Sequence, residues 1–261
     1  MSWAELLAAA GIQGLTEFLP VSSSGHLLLV HRLWGIAEPT LFVDVLLHLG
    51  TTAAVLLAFR RTIVAWLTRE RRSVGLVVLA TIPTVLVGLW LHHAVEAETA
   101  GHGMRQIGVE FLVTAVWIAV AHWQGRYQAR TGTGAPVIQW WQAIVIGTAQ
   151  GIAAIPAISR SAATISTSLI LGVSPAAAVE FSLLISVPAI LGAALYETAK
   201  AGWSLPHQLS SAQVVAAFAT TFLIGWITIW LLERLTVRRR LLPFAVYCGA
   251  LGLWLVCGGL S

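Results

Sequence analysis

Six apolar stretches in this 261-residue chain are each long enough to cross a lipid bilayer. A transmembrane helix needs about 20 mostly apolar residues. Only 10% of the residues are charged, whereas a soluble domain carries roughly 25%. The sequence therefore predicts an all-α polytopic membrane protein with about six transmembrane helices, and it argues against a soluble enzyme or a secreted disulfide scaffold. The stretches lie near residues 41–59, 74–93, 107–123, 175–196, 212–232 and 241–260.

The net charge of +4 does not indicate nucleic-acid binding, because that function needs a basic face in polar surroundings. The arginines instead predict topology, since short cytoplasmic loops collect Arg and Lys. They concentrate in segments 60–72, 126–130 and 234–240, which share one side of the membrane if the spans alternate. We expect that side to be cytoplasmic and both termini to lie outside the cytoplasm.

Two further stretches are apolar enough for membrane depth but are interrupted by polar, proline-containing breaks. Residues 3–36 contain Pro20-Val-Ser-Ser-Ser-Gly-His26, and residues 137–172 contain Pro156-Ala-Ile-Ser-Arg-Ser161. Irregular backbone at that depth must be buried in protein or line a cavity, because lipid cannot satisfy its N–H and C=O groups. Each stretch therefore predicts a re-entrant helix hairpin, the first entering from outside and the second from the cytoplasm.

The two interrupted stretches also resemble each other. Gln13-Gly14 precedes the first break and Gln150-Gly151 precedes the second. A repeat with opposed entry sides is typical of inverted-topology membrane proteins, whose site lies where the broken hairpins meet. We expect one membrane domain over 1–261, with repeats at about 1–123 and 137–261 joined by a cytoplasmic loop at 124–136. Chance similarity between two Gly/Ser/Pro-rich segments is the alternative.

Ionisable side chains inside a membrane are costly, so they usually have a partner and a function. Glu17 and Arg160 lie next to or within the breaks, and His26 follows the first one. The helix N-termini after the breaks attract anions, and an arginine binds phosphate oxygens through two parallel hydrogen bonds. If the hairpins converge, these groups predict a phosphate or diphosphate site.

Each candidate also has a purely structural interpretation. Ser22 and Ser24 are equally consistent with helix N-caps. His48 is more typical of a packing or hydrogen-bonding histidine. Arg160 could form an ion pair with Glu17 that serves the fold alone.

Two motifs resemble those of a known family. Gly14-Leu-Thr-Glu-Phe-Leu-Pro-Val-Ser-Ser-Ser-Gly-His26 is similar to the signature of bacterial undecaprenyl-diphosphate phosphatases of the bacitracin-resistance type. Pro156-Ala-Ile-Ser-Arg-Ser-Ala-Ala-Thr164 resembles that family's second motif, usually written P-G-x-S-R-S-G-x-T. The resemblance implies an enzyme of the bacterial plasma membrane that converts undecaprenyl diphosphate to undecaprenyl phosphate and so recycles the lipid carrier of cell-wall synthesis. It implies a site opening to the outer face and a divalent cation, Mg²⁺ or Ca²⁺.

The resemblance also assigns roles to residues. Glu17 would assist the metal or act as base, His26 or Ser23 would be nucleophile or proton donor, and Arg160 would clamp the diphosphate. The remaining substrate-binding candidates lie in and around the same two motifs: Gln13, Ser22, Ser24, Gly25, Ser159, Ser161 and Thr164.

The chain departs from the family pattern at three positions. Gln13 stands where the family has the first of two glutamates, and Ala157 and Ala162 replace two glycines. An alanine would strain a backbone that needs positive φ. These departures keep two alternatives open: a transporter or flippase for a lipid phosphate, and a protein that binds the lipid without hydrolysing it.

Overall fold

The computed structural model describes residues 1–35, 41–98, 103–131, 135, 137–201, 209–238 and 240–259, with the backbone alone for 92–98, 126–131 and 201. Across these ranges the regular structure is helical. The eleven helices found there are α1 (Trp3–Thr16), α2 (Ser23–Leu33), α3 (Leu41–Ala58), α4 (Arg60–Thr68), α5 (Arg71–Glu98), α6 (Met104–Thr131), α7 (Trp140–Ile152), α8 (Arg160–Ile170), α9 (Pro175–Ala201), α10 (Ser211–Val237) and α11 (Leu242–Val256).

Five helices are long and apolar enough to cross a membrane: α3, α5, α6, α9 and α10. The sixth predicted span, 241–260, is a shorter apolar helix, α11. It ends early because Gly258 takes a positive φ of 92°, the usual backbone signal that closes a helix. The polytopic all-α prediction is confirmed, with a shorter last helix than expected.

The two interrupted stretches form helix pairs. The first pair is α1 and α2, and the second is α7 and α8. An 11-residue helix such as α2 or α8 rises only about 16 Å, roughly half the hydrocarbon core of a bilayer. Each pair therefore has the dimensions of a hairpin that enters and leaves the membrane; the side from which each enters stays a prediction.

Each hairpin packs against a helix from the other half of the chain. Helix α1 packs against α10, and α7 packs against α5. In the first contact Thr221 donates its hydroxyl to the C=O of Ala10 over 3.2 Å, and in the second Thr84 donates to Gly147 over 2.8 Å. Ala10 and Gly147 each lie four residues before the glycine of a Gln-Gly pair, so the two halves use a similar contact. The inverted repeat itself stays a prediction.

The arginine-rich segment at 60–72 is not a plain loop, because it contains α4. Ile63 and Trp66 on this helix pack against the hydrophobic core, whereas Arg60 and Arg61 are exposed, so α4 is amphipathic. The connection predicted at 124–136 is likewise helical as far as Thr131. Both segments are more ordered than their charges alone indicate.

Candidate active site

The structure brings the two breaks into contact, as the sequence predicts. Ser24 donates its hydroxyl to the C=O of Pro156, and Ser161 donates to the C=O of Leu19 over 3.0 Å. Each break thus satisfies a carbonyl of the other, which solves the problem of unpaired backbone groups at membrane depth. The hydroxyls of Ser24 and Ser161, two predicted substrate contacts, therefore form hydrogen bonds between the hairpins.

Glu17 is the centre of the site. It caps the C-terminus of α1 and is only 5% exposed. Its Oε1 pairs with the guanidinium of Arg160, which begins α8. Its Oε2 accepts a 2.6 Å hydrogen bond from the hydroxyl of Ser23 and a 2.9 Å bond from the amide of Gln13. Both carboxylate oxygens therefore face hydrogen-bond donors.

His48 belongs to this cluster and is a hydrogen-bonding histidine, one of the two structural interpretations that the sequence offers. It comes from α3, and its Nδ1 lies 3.0 Å from Gln13 Nε2 and 3.6 Å from Glu17 Oε1. Because an amide nitrogen can only donate, Nδ1 accepts in this arrangement and the ring proton sits on Nε2. Sequence spacing could not reveal this contact, since His48 reaches the site from a separate helix.

The turns that carry the site are built from capped helices. Ser22 accepts from the N–H of Gly25 over 3.1 Å, and Ser159 accepts from the N–H of Ala162 over 3.2 Å. The N-cap interpretation of Ser22 is therefore confirmed. Ser22 is also the one described non-glycine residue with positive φ, at 70°. This unusual backbone turns the chain so that the next residue, Ser23, faces Glu17.

The two alanines of the second motif do not strain the backbone, because neither has a positive φ. Both are buried, and the N–H of Ala157 donates to Glu110 Oε2 over 2.8 Å. Thr114, one turn further along α6, accepts from the N–H of Ser159 over 3.1 Å. Helix α6 thus supports the second break. Glu110 was missed from the sequence, although an acidic residue inside the 107–123 span is a signal of function or pairing.

A cavity of about 540 Å³ opens beside this cluster. Its polar end is formed by Glu17, Ser23, His48 and Arg160, with Ser22, Ser24 and Ser159 beside them. Its other walls come from α5, the end of α7 and α9, and most of these residues are small or apolar. They include Val85, Gly88, Leu89, Gly151, Ala153, Ala154, Ala189, Ile190, Gly192 and Ala193. The size and the mixed lining are typical of a small-molecule site with one charged end.

Among the described residues, five predicted site residues lie outside this lining. His26 contacts the C=O of Ser22 through Nδ1 and the hydroxyl of Tyr247 through Nε2, both at 2.6 Å. Its ring nitrogens are therefore engaged away from Glu17, because the turn at Ser22 aims Ser23 inward and His26 toward α11. The other four are Gln13, Gly25, Ser161 and Thr164.

The structural roles of Gly25 and Thr164 are clear from their neighbours. A Cβ at Gly25 would lie 2.8 Å from the ring of Phe111, so only glycine fits there. Thr164 is fully buried and bonds to the C=O of Arg160 and the hydroxyl of Ser182, at 2.9 and 2.5 Å. The structure shows these packing and hydrogen-bonding roles, and substrate contact by either residue stays a prediction.

The residues of the cluster do not fit a resident divalent cation. Mg²⁺ and Ca²⁺ are held in proteins by free carboxylate oxygens, with carbonyls and waters completing a shell of six or more oxygens. Here one carboxylate, Glu17, is surrounded by a guanidinium, an amide and a hydroxyl. In the described part of the chain no group of three or more His, Cys, Asp and Glu residues could hold a metal ion.

Comparison with known proteins agrees with these features. A family model described as bacitracin resistance protein BacA matches residues 6–254. The chain is 38% identical to the undecaprenyl-diphosphatase of Desulfosudis oleivorans, over 94% of this chain and 95% of the relative. It is 38% identical to that of Syntrophotalea carbinolica, over 97% of both chains. It is 34% identical to undecaprenyl-diphosphatase 4 of Bacillus thuringiensis subsp. konkukian, over 97% of this chain and 96% of the relative.

Proposed function

The chain belongs to the bacitracin resistance protein BacA family, and we propose on this premise that it hydrolyses undecaprenyl diphosphate to undecaprenyl phosphate and inorganic phosphate. One observation carries the proposal beyond family membership. The Ser23–Glu17–Arg160 cluster stands at the polar end of a cavity whose remaining walls are apolar. An amphiphile with a diphosphate head and a hydrocarbon tail has the matching shape and polarity.

The head group would bind at Arg160. Its Nη2 pairs with Glu17, while its Nη1 makes only a long contact of 3.5 Å to the C=O of Ser186. A guanidinium offers five N–H donors, so Arg160 can bind a phosphate oxygen without leaving Glu17. This would hold the terminal phosphate beside the hydroxyl of Ser23.

The chemistry would begin at Ser23. A serine hydroxyl becomes nucleophilic when a base takes its proton, and the 2.6 Å hydrogen bond to Glu17 provides that base. The Ser23 oxygen bonds to the terminal phosphorus, the proton passes to Glu17, and the anhydride P–O bond breaks. The lipid monophosphate leaves with the electron pair and takes the proton from Glu17.

A water molecule completes the reaction. It attacks the phosphoserine and gives its proton to Glu17, and the Ser23 oxygen leaves and recovers that proton. Inorganic phosphate is released and the site returns to its first state. Phosphoryl transfer depends mostly on positioning and charge neutralisation, which Arg160 and the capped turns would supply.

The tail would run along α5 and α9. Gly88, Gly192 and Ala193 make this wall shallow, and the cavity of about 540 Å³ has room for the head group and the first isoprene units. The rest of the tail would pass between helices into the lipid. The lining ends at Tyr196 and Glu197, near the end of α9 that the arginine pattern assigns to the outside. We therefore propose a site open to the outer face.

The test is phosphate release from undecaprenyl diphosphate by the purified protein in nanodiscs. We expect turnover by the wild type and its loss in Glu17→Gln. Absence of release from the wild type would reject the enzyme. Movement of undecaprenyl phosphate between the leaflets of protein-containing vesicles, without release, would instead support a flippase, and saturable binding alone would support a lipid-binding protein.

A further inference from the structure

We propose that the amide of Gln13 takes the place of a divalent cation beside Glu17, so that this site is neutralised by the protein's own side chains. The inference concerns cation binding by the substrate-free protein. Only its bearing on hydrolysis rests on the proposed function. It predicts that the wild type binds no divalent cation at Glu17 and that Gln13→Glu creates such a site.

The position of Gln13 carries the first step. It lies four residues before Glu17 on α1, so both side chains project from one face of the helix. Gln13 is fully buried, and its Nε2 lies 2.9 Å from Glu17 Oε2 and 3.0 Å from His48 Nδ1. The amide nitrogen therefore stands between two acceptors, which is the place a cation would take if both neighbours were ligands.

A glutamate at position 13 would replace the donating amide nitrogen with a carboxylate oxygen, which is a charged acceptor. Its carboxylate oxygen would stand about 2.9 Å from Glu17 Oε2, where the Gln13 nitrogen now lies. Two like charges at that distance in a buried site cannot both persist without a proton or a cation between them. Gln13 has the same length and shape but supplies N–H donors, so the present pair needs neither.

Ligand counting supports the same conclusion. Oε1 of Glu17 is bound by Arg160, and Oε2 is bound by Ser23 and Gln13. The amide oxygen of Gln13 is buried with no hydrogen-bond partner among the described residues, so it is the acceptor that stays open. One neutral amide oxygen, with no free carboxylate oxygen beside it, is a weak ligand set for Mg²⁺ or Ca²⁺, even when waters complete the shell. A cation at Glu17 would also have to displace the Arg160 guanidinium.

Gln150 offers a matched control in the second hairpin. It is also buried, and its Oε1 likewise has no hydrogen-bond partner among the described residues. Its Nε2 donates to the hydroxyl of Thr84 and the C=O of Ile185, at 3.2 and 3.3 Å. A carboxylate at 150 adds the same charge at similar burial but has hydroxyl and carbonyl neighbours instead of a second carboxylate.

The experiment measures cation binding without substrate. Chelator-treated protein in nanodiscs is titrated with Mn²⁺ by electron paramagnetic resonance and with Ca²⁺ by calorimetry. We expect no saturable binding in the wild type and at least about tenfold tighter binding in Gln13→Glu than in Gln150→Glu. The double variant Gln13→Glu/Glu17→Gln, which moves the carboxylate without adding one, should lose the gain. Added Ca²⁺ should raise the Tm of Gln13→Glu but not that of the wild type.

Two results would overturn the inference. One is saturable Mn²⁺ binding by the wild type that Glu17→Gln abolishes. The other is a Gln13→Glu variant that folds, by its Tm, yet binds no more tightly than Gln150→Glu. Neither readout needs turnover, so a failure of phosphate release would reject the proposed function and leave this question to be decided separately.

Discussion

Ser23 and Glu17 lie six residues apart, at the two ends of the turn between α1 and α2, and a 2.6 Å hydrogen bond joins hydroxyl to carboxylate. The bond exists because α1 ends at Glu17, and the positive φ of Ser22 turns the chain back on itself. A nucleophile and its base are thus placed by one tight turn. We expect changes at four positions in and around this site to alter activity or stability.

Ser23→Ala should lower kcat by at least about 10³-fold, because it removes the proposed nucleophile. The matched control is Ser24→Ala, whose hydroxyl bonds to the C=O of Pro156 and joins the hairpins. That control should lower the Tm more than Ser23→Ala does and reduce kcat far less. Steady-state phosphate release and thermal unfolding measure the two effects. Equal losses of kcat would contradict the role of Ser23.

Arg160→Ala should destabilise the protein as well as abolish phosphate binding. It leaves the Glu17 carboxylate buried without its cationic partner, and breaking such a pair costs roughly 3–5 kcal/mol. Glu17→Gln removes the orphaned charge, so the double variant should recover part of the lost Tm while staying inactive. A double variant no more stable than Arg160→Ala would show that the ion pair contributes little to the fold.

Gly88→Leu should obstruct the apolar wall. A Cβ at this position meets nothing closer than Ala154 at 3.7 Å, so the backbone accepts a side chain there, and the rest of a leucine would occupy part of the cavity that Gly88 lines. We expect KM for undecaprenyl diphosphate to rise about tenfold or more, and KM for a short isoprenyl diphosphate to change much less. The control is Gly75→Leu, on the same helix with open space around it. A rise in KM for both substrates alike would place the tail elsewhere.

Gly14→Ala should destabilise the packing of α1 on α10. The added Cβ would lie 2.9 Å from the C=O of Thr221, which cannot move without the helix, and overpacking costs typically 1–3 kcal/mol. Gly11→Ala, one turn earlier, meets nothing closer than 3.7 Å and should be neutral or slightly stabilising, since alanine favours helices. Thermal unfolding of both variants measures the difference. Equal Tm values would show that this crossing tolerates a wider separation.

The sequence was sufficient to predict the hairpins and the pairing of Glu17 with Arg160. Both follow from a strong constraint, namely that polar backbone and charge at membrane depth must find partners inside the protein. The same constraint explains why the breaks meet, since each satisfies carbonyls of the other. These features depend on local sequence and on the solvent, so no tertiary information was needed.

The positions of His26 and His48 relative to Glu17 could not be predicted in this way. Both histidines lie near the site in sequence, but the direction of each ring depends on the unusual φ of Ser22 and on the packing of α3. Glu110 was overlooked for a related reason: its partner, the N–H of Ala157, lies 47 residues away. The contacts of His48 and Glu110 join separate helices, so the spacing of residues along one helix could not predict them.

The packing of α1 against α10 also constrains the order in which the helices can assemble. Thr221 of α10 bonds to Ala10 of α1, 211 residues earlier in the chain. During synthesis, α1 must therefore wait in the membrane until nearly the whole chain has been made before its packing partner exists. Such long-range contacts form late and leave partly assembled chains exposed. A ribosome that stops before α10 therefore leaves α1 without its largest packing partner, with only α2 and α3 beside it.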